Sequence, residues 1–167
     1  ELDVQPVEIK KYIRCIVEPF SRKGSMKQLN FNITFGEDLP QYFQTDGVIL
    51  ENILNALLEN ALKYTEDGDV DVTVERLSDN KLNIQIRDTG LGMSSEQLSH
   101  IFEPFNQSSS SKNRIHNGLG LGLPVAHHFT NMIQGNLKFQ SEIEKGTTAS
   151  LTLPFKVATE PIQMTDN

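Results

Sequence analysis

Leu82-Asn-Ile-Gln-Ile-Arg-Asp88-Thr-Gly-Leu-Gly-Met93 passes in mid-course from strict alternation to a glycine-spaced loop. Leu82, Ile84 and Ile86 repeat every second residue, the period of a strand with one buried face. Val70, Val72 and Val74 do the same on the other side of Leu77-Ser-Asp-Asn80, which predicts a hairpin. Two glycines two apart then let backbone approach a ligand or another segment with no Cβ in the way. Asp88, just ahead of them, offers an acceptor-only carboxylate at the carboxyl end of its strand. A tight strand-to-helix turn with a capping Asp would use the same residues, so the loop by itself leaves both readings open.

Upstream, Ile9, Ile13, Ile16, Val17 and Phe20 predict an amphipathic helix over residues 6–20. Leu29, Phe31, Ile33 and Phe35 alternate with polar residues as a half-buried strand does, and Gly36-Glu-Asp-Leu-Pro40 turns the chain. A richer helix is expected over residues 45–64, with Ile49, Ile53, Ala56, Leu57, Asn60, Ala61 and Tyr64 along one side and Glu66-Asp-Gly-Asp69 to stop it. Downstream, Ser94 and Gln97 have the spacing of a capping box for a short helix. Residues 106–117 are nearly all polar, with four consecutive serines and no periodicity; such a loop in a compact domain is a functional lid or a disordered segment. Gly118-Leu-Gly-Leu-Gly-Leu-Pro124 leads into a third helix ending near Gly135. Leu137/Phe139 and Ala149/Leu151/Leu153 close the chain with a hairpin across residues 142–146. The order predicts a helical layer on one mostly antiparallel sheet, with residues 1–156 as the domain and 157–167 as a tail or linker.

The 167 residues carry 15 Lys+Arg against 22 Asp+Glu, a formal charge of −7, which argues against a partner made of duplex nucleic acid. With 37% apolar and 22% charged residues the composition is that of a globular domain with a real core. No stretch approaches a membrane span in length and no signal peptide opens the chain, so a cytoplasmic domain without membrane contact is expected. Cys15 is the single cysteine, which excludes an internal disulfide and a thiolate zinc cage; the plainest expectation for it is a small core residue.

Further groups invite a chemical reading. Gly118-Leu-Gly-Leu-Gly122 at a helix start would place free backbone N–H groups and the helix dipole toward a phosphate. It lacks the Lys-Ser/Thr of a Walker A loop and the spacing of a dinucleotide fingerprint, so those two nucleotide folds are excluded. Asn52, Ala56, Glu59, Asn60 and Lys63 make a polar seam along the second helix. An amide oxygen there can ligate a hard cation, and Lys63 is a point charge for phosphate, although a solvated face would also account for Asn52 and Lys63. Asn60, set among Leu57, Ala61 and Tyr64, is a half-buried amide that needs partners. His127 and His128 are adjacent and cannot share one helix-facing metal site. Glu142, Glu144 and Lys145 read as a solvated turn.

Taken in order, Leu57-Leu-Glu-Asn-Ala-Leu-Lys-Tyr-Thr65, Asp88-Thr-Gly-Leu-Gly-Met93, Ile101-Phe-Glu-Pro-Phe105 and Gly118-Leu-Gly-Leu-Gly-Leu123 resemble the N, G1, F and G2 boxes of the sensor histidine kinase catalytic domain. Gly146-Thr-Thr148 and Leu153-Pro-Phe155 resemble that family's last strand. The resemblance implies the Bergerat-type α+β two-layer sandwich, a mixed and mostly antiparallel sheet under three helices, with ATP held beneath a mobile lid. It implies Mg²⁺ on Asn60, Lys63 and Tyr64 beside the phosphates and ribose, and Asp88 accepting from the adenine amine above a turn made by Gly90 and Gly92. Phe102 and Phe105 would anchor the lid at the ATP site, and Gly118, Leu119, Gly120, Leu121, Gly122 and Leu123 would surround the phosphates. Thr148 would support the water network at the adenine, and Lys112 or Arg114 would meet the γ-phosphate.

Two positions depart from the family. Ala56 stands four residues before Asn60, where the family usually has Asn and related gyrase and mismatch-repair ATPases a Glu base; Asn55 is one position off. Leu119 replaces a small hydroxyl residue. None of His100, His116, His127 and His128 lies in a phosphoacceptor motif, so the resemblance implies a separate dimerisation and histidine phosphotransfer domain of the same protein, and a response-regulator receiver domain downstream. Three functions stay open at this stage: a kinase domain, a catalytically weak nucleotide-binding sensor module, and a hydrolysing ATPase, which Ala56 disfavours.

Overall fold

The computed structural model describes residues 1–103 and 122–159. The expected lid at 106–117 with Lys112 and Arg114 lies outside them, as do Phe105, Gly118, Leu119, Gly120 and Leu121. In chain order the elements are β1 (Gln5–Glu8), α1 (Ile9–Met26), β2 (Asn30–Phe35), β3 (Tyr42–Thr45), α2 (Gly47–Tyr64), β4 (Asp69–Ser78), β5 (Lys81–Asp88), α3 (Ser95–Ser99), α4 (Gly122–Met132), β6 (Asn136–Glu142), β7 (Gly146–Pro154) and β8 (Lys156–Ala158).

Five strands form the main sheet in the order β2-β4-β5-β7-β6. β2 runs parallel to β4, and every other neighbour is antiparallel. The expected alternation holds strand by strand: Val70, Val72, Val74, Leu82, Ile84, Ile86, Ala149, Leu151 and Leu153 are buried on one face. The opposite face carries residues such as Asn32, Asp71, Gln85 and Ser150, and cross-strand pairs such as Asn32 Nδ2 to Asp71 Oδ1 (3.0 Å) cover it. One dry and one wet face is the usual solution for an antiparallel-rich sheet. α1, α2 and α4 cover the dry face. α1 buries the expected stripe of Ile9, Ile13, Ile16, Val17 and Phe20, and α2 buries Ile53, Leu54, Leu57, Leu58 and Ala61.

Four local features differ from expectation. α1 continues to Met26 through Pro19. A proline removes the bond to the carbonyl four residues back, here Cys15, and both residues are exposed, so water can take the freed carbonyl. Cys15 is accordingly not a core residue: it stands two positions past Ile13, away from the apolar stripe. β1 takes residues 6–8, where the first helix was expected to begin, and β3 takes residues 42–45, for which no strand was expected; the two pair with each other, and β3 with β8, in a separate three-stranded antiparallel sheet. A further short strand, β8, follows β7 at residues 156–158 where none was expected. α3 does have its capping box: Ser94 Oγ accepts from the Gln97 N–H (3.1 Å), and Gln97 Oε1 from the Ser94 N–H (2.8 Å). Among the described residues no helix is long and apolar enough to cross a membrane.

Candidate functional site

β5 turns Leu82, Ile84, Ile86 and finally Asp88 toward the helices, so the last inward position of the strand carries a carboxylate. Asp88 is only 5% exposed. Its Oδ1 accepts the Gly90 N–H at 3.0 Å and the Thr147 N–H at 3.2 Å, and its Oδ2 receives no hydrogen bond from the described residues. Burial pushes its pKa above the usual carboxylate range, opposed by those two amides and by the neighbouring Thr65 hydroxyl. Thr65 Oγ1 is fully buried and stands close enough to favour the ionised form, and among the described residues it makes no bond of hydrogen-bonding geometry. An orphaned buried hydroxyl beside an under-used carboxylate oxygen is what a polar ligand would satisfy.

The loop after Asp88 is held against the end of α2. The Leu91 N–H bonds the Tyr64 carbonyl at 3.0 Å. A Cβ on Gly90 would lie 2.2 Å from that same carbonyl oxygen, so only glycine lets the two backbones meet. Gly92 has φ +67°, and a Cβ there would meet the Glu142 carbonyl oxygen at 1.9 Å. The end of α2 is itself fixed by Lys27, whose ammonium donates to the Leu62 and Thr65 carbonyls (2.6 and 3.0 Å). A cation at a helix C-terminus also meets the negative end of the dipole. Lys27 was not visible as a site-building residue in the sequence, because the contact spans thirty-five positions or more.

α2 supplies the wall beside this floor. Asn60 is half-buried, and its amide makes no hydrogen bond among the described residues. One turn on, the Lys63 ammonium lies 5.5 Å from the Tyr64 ring centroid. Burial lowers the Lys63 pKa, with Glu59 opposing, and burial raises that of the Tyr64 hydroxyl. The start of α4 faces α2 at Ala56: a Cβ on Gly122 would come to 4.0 Å from the Ala56 methyl. Asn52 is turned to solvent, bonding only back to the Val48 carbonyl (2.9 Å).

One expected assignment shifts by a residue. Thr147, not Thr148, stands against Asp88, because the two are cross-strand partners in the β5–β7 register. Alternation then sends Thr148 to the wet face opposite Arg87. Phe102 stacks on His127 (centroids 4.2 Å, planes 12° apart) and meets Phe139 edge-on at 5.7 Å. It therefore pins the segment entering residues 104–121 onto α4 and β6, an anchoring contact. Leu123, beside Gly122, packs against the core. Among the described residues no group of three His, Cys, Asp or Glu side chains could hold a metal ion. A cavity of about 450 Å³ near Leu2, Asp46, Met132 and Phe155 shares no lining residue with this site.

The site is thus a buried carboxylate at the end of a central strand, a glycine turn and the Asn60 side of α2, on a sheet with one helical layer. Residues 45–157 match the family described as histidine kinase-, DNA gyrase B- and HSP90-like ATPase, and the chain belongs to that family. Within that family, the relatives that the chain matches are sensor histidine kinases. It is 32% identical over 151 residues to the signal transduction histidine-protein kinase BarA of Escherichia coli (strain K12), a match covering 88% of this chain and 16% of that protein. It is 35% identical over 144 residues to the autoinducer 2 sensor kinase/phosphatase LuxQ of Vibrio vulnificus (strain YJ016), covering 83% of this chain and 16% of that protein. The chain thus spans under a fifth of the length of these curated relatives. Full-length ShkA in complex with AMPPNP superposes with TM-score 0.84 at 27% identity, over 98% of this chain and 33% of that one. The nucleotide-free catalytic domain of histidine kinase ThkA shares the fold, with TM-score 0.76 at 21% identity, over 92% of this chain and 98% of that one.

Proposed function

We propose that this chain binds Mg-ATP and delivers the γ-phosphoryl group to a histidine on a separate dimerisation and phosphoacceptor domain. The observation that carries the reading is Asp88, a buried acceptor-only carboxylate with Oδ2 unbonded among the described residues. Adenine offers an exocyclic N–H to such a group. Guanine offers a carbonyl oxygen, which an ionised carboxylate repels, and a buried partner left unpaired makes the discrimination large. The AMPPNP in the ShkA structure supports a nucleotide in a fold of this kind.

Asn60 is the residue that would hold Mg²⁺. Its half-buried amide oxygen has no partner among the described residues, and Mg²⁺ takes few protein ligands, with waters and phosphates supplying the others. The ion, when bound, neutralises charge on the triphosphate. Lys63 would add a point charge from α2, and the N–H groups that open α4 would face the same anion. Lys112 and Arg114 are the candidates for the lid cation. The acceptor imidazole is itself the nucleophile, so positioning and charge stabilisation suffice and no general base is needed. Such a domain would work on the cytoplasmic side of a membrane-bound sensor, upstream of a receiver domain.

Ala56 favours a second reading, a module that holds nucleotide and signals by contact with little transfer. At the α2–α4 approach the chain presents a methyl group where the family usually has a polar side chain. Radiolabelled ATP separates the two. The chain is incubated alone, with its native acceptor helices, and with those helices carrying His→Ala. We expect no label on the lone chain and slow labelling of the acceptor that rises steeply with acceptor concentration. Separating the domains forfeits an effective concentration of roughly millimolar. Label on the lone chain would overturn the modular reading. Nucleotide bound without label on the native acceptor would favour the second one.

A further inference from the structure

Ser141, near the end of β6, makes three contacts that together set a direction. Its Oγ receives the Met93 N–H at 2.7 Å, faces the Gly146 carbonyl oxygen at 3.1 Å, and lies 2.8 Å from Thr147 Oγ1. A serine hydroxyl has one proton and two lone pairs. The amide takes a lone pair. The carbonyl is an acceptor only, so it takes the proton. All three contacts can be made at once only if Thr147 donates to Ser141. Thr147 then has no proton left, and its hydroxyl faces everything else as an acceptor.

Thr147 is 7% exposed and pairs across the strands with Asp88, whose Oδ1 its own N–H already binds. We propose that Ser141 is a positioning residue for base selectivity: it fixes as an acceptor the hydroxyl of Thr147, the residue paired across the strands with Asp88, so that these two side chains offer acceptors and no donor to an exocyclic amine. The same hydroxyl ties the Gly92–Met93 turn to β6, so the donor pattern and the loop position are set by one atom. The inference rests on the reading of Asp88 as the group that meets the purine 6-position. Without Ser141 the Thr147 hydroxyl rotates freely and can donate to a 6-carbonyl, so the distinction between amine and carbonyl fades.

Calorimetric titration of the 167-residue chain with ADP and with inosine diphosphate tests it, since the two differ along one edge of the base: an amine at the 6-position with a bare N1, against a carbonyl with a proton on N1. The parent should prefer ADP. Ser141→Ala should lower that preference about fivefold, the scale of one neutral hydrogen bond, and Ser141→Thr should restore it. Thr147→Val should reduce the preference too, and adding Ser141→Ala to it should change the ratio no further. A Ser141→Ala protein that loses affinity for both nucleotides in equal proportion overturns the proposal, since a purely structural serine would do that. Additive losses in the double variant overturn the route through Thr147. If the parent itself binds both nucleotides equally, the Asp88 reading fails first and the inference falls with it; the parent measurement alone reveals that case.

Discussion

At the scale of single residues, Asp88 combines two opposed demands. Its burial pushes the pKa up, and a carboxyl that titrates higher in the folded chain stabilises the fold in its protonated form. That contribution is complete below the ordinary carboxylate value and is lost as pH rises through the raised one. Nucleotide binding runs the other way, because accepting an N–H needs the ionised group. ADP affinity should therefore fall as pH drops through the raised pKa, a trend that titrations at stepped pH will show and that Asp88→Asn should abolish. The same substitution should weaken ADP about 10- to 100-fold, equivalent to a charge-assisted hydrogen bond of roughly 1.5–3 kcal/mol. Without nucleotide its thermal midpoint at neutral pH should match or exceed the parent's, because an ionised buried group has been removed. A midpoint several degrees lower would mean that Asp88 is there for the fold.

At the scale of elements, the site is the meeting of the α2 C-terminus with the loop that leaves β5. Both were legible as elements, and their contact follows from Gly90. Gly90→Ala sets a Cβ 2.2 Å from the Tyr64 carbonyl oxygen, and neither backbone can yield without breaking the Leu91–Tyr64 bond. We expect a loss of about 1–3 kcal/mol in denaturant unfolding, with nucleotide binding lost beyond that because Thr65 and Asp88 part company. An alanine variant that keeps parental ADP affinity would show that the close approach is incidental. Asn60 belongs to this scale as well, since a helix turn places it beside Lys63. Asn60→Ala should reduce the magnesium dependence of ATP binding more than ADP recognition without metal. Equal metal dependence in variant and parent would leave Asn60 as a packing amide.

For the molecule as a whole, the buried faces of α1 and α2 and the sheet form one hydrophobic cluster. Leu58 is fully buried in it, so Leu58→Ala should cost about 2–5 kcal/mol in denaturant unfolding without touching the nucleotide groups. A loss confined to below roughly 1 kcal/mol would mean that the core collapses onto the missing volume. The sheet's parallel β2–β4 pair encloses α2 and β3 in its crossover, which makes the wall of the site a connection between neighbouring strands of the floor sheet.

What the amino-acid order determined by itself was periodic and local. The alternation at 70–74 and 82–86, the α1 stripe, the Ser94 capping box and the Asp88-Gly90-Gly92 turn each depend on residues within a few positions of one another, and each stands where the pattern put it; on α2 the buried face turns further, to take in Leu50, Leu54, Leu58 and Leu62. Thr147 against Thr148 is the opposite case: adjacent residues of one type differ only by the face they take, and the face is set by register with β5, some sixty positions away. Cys15 likewise has no local signal strong enough to outweigh the stripe around it. The three-stranded sheet, the Lys27 cap on α2 and the buried Thr65 hydroxyl beside Asp88 came only from tertiary structure. Short strands and single polar side chains carry no period, and their partners are chosen by the packing of distant segments.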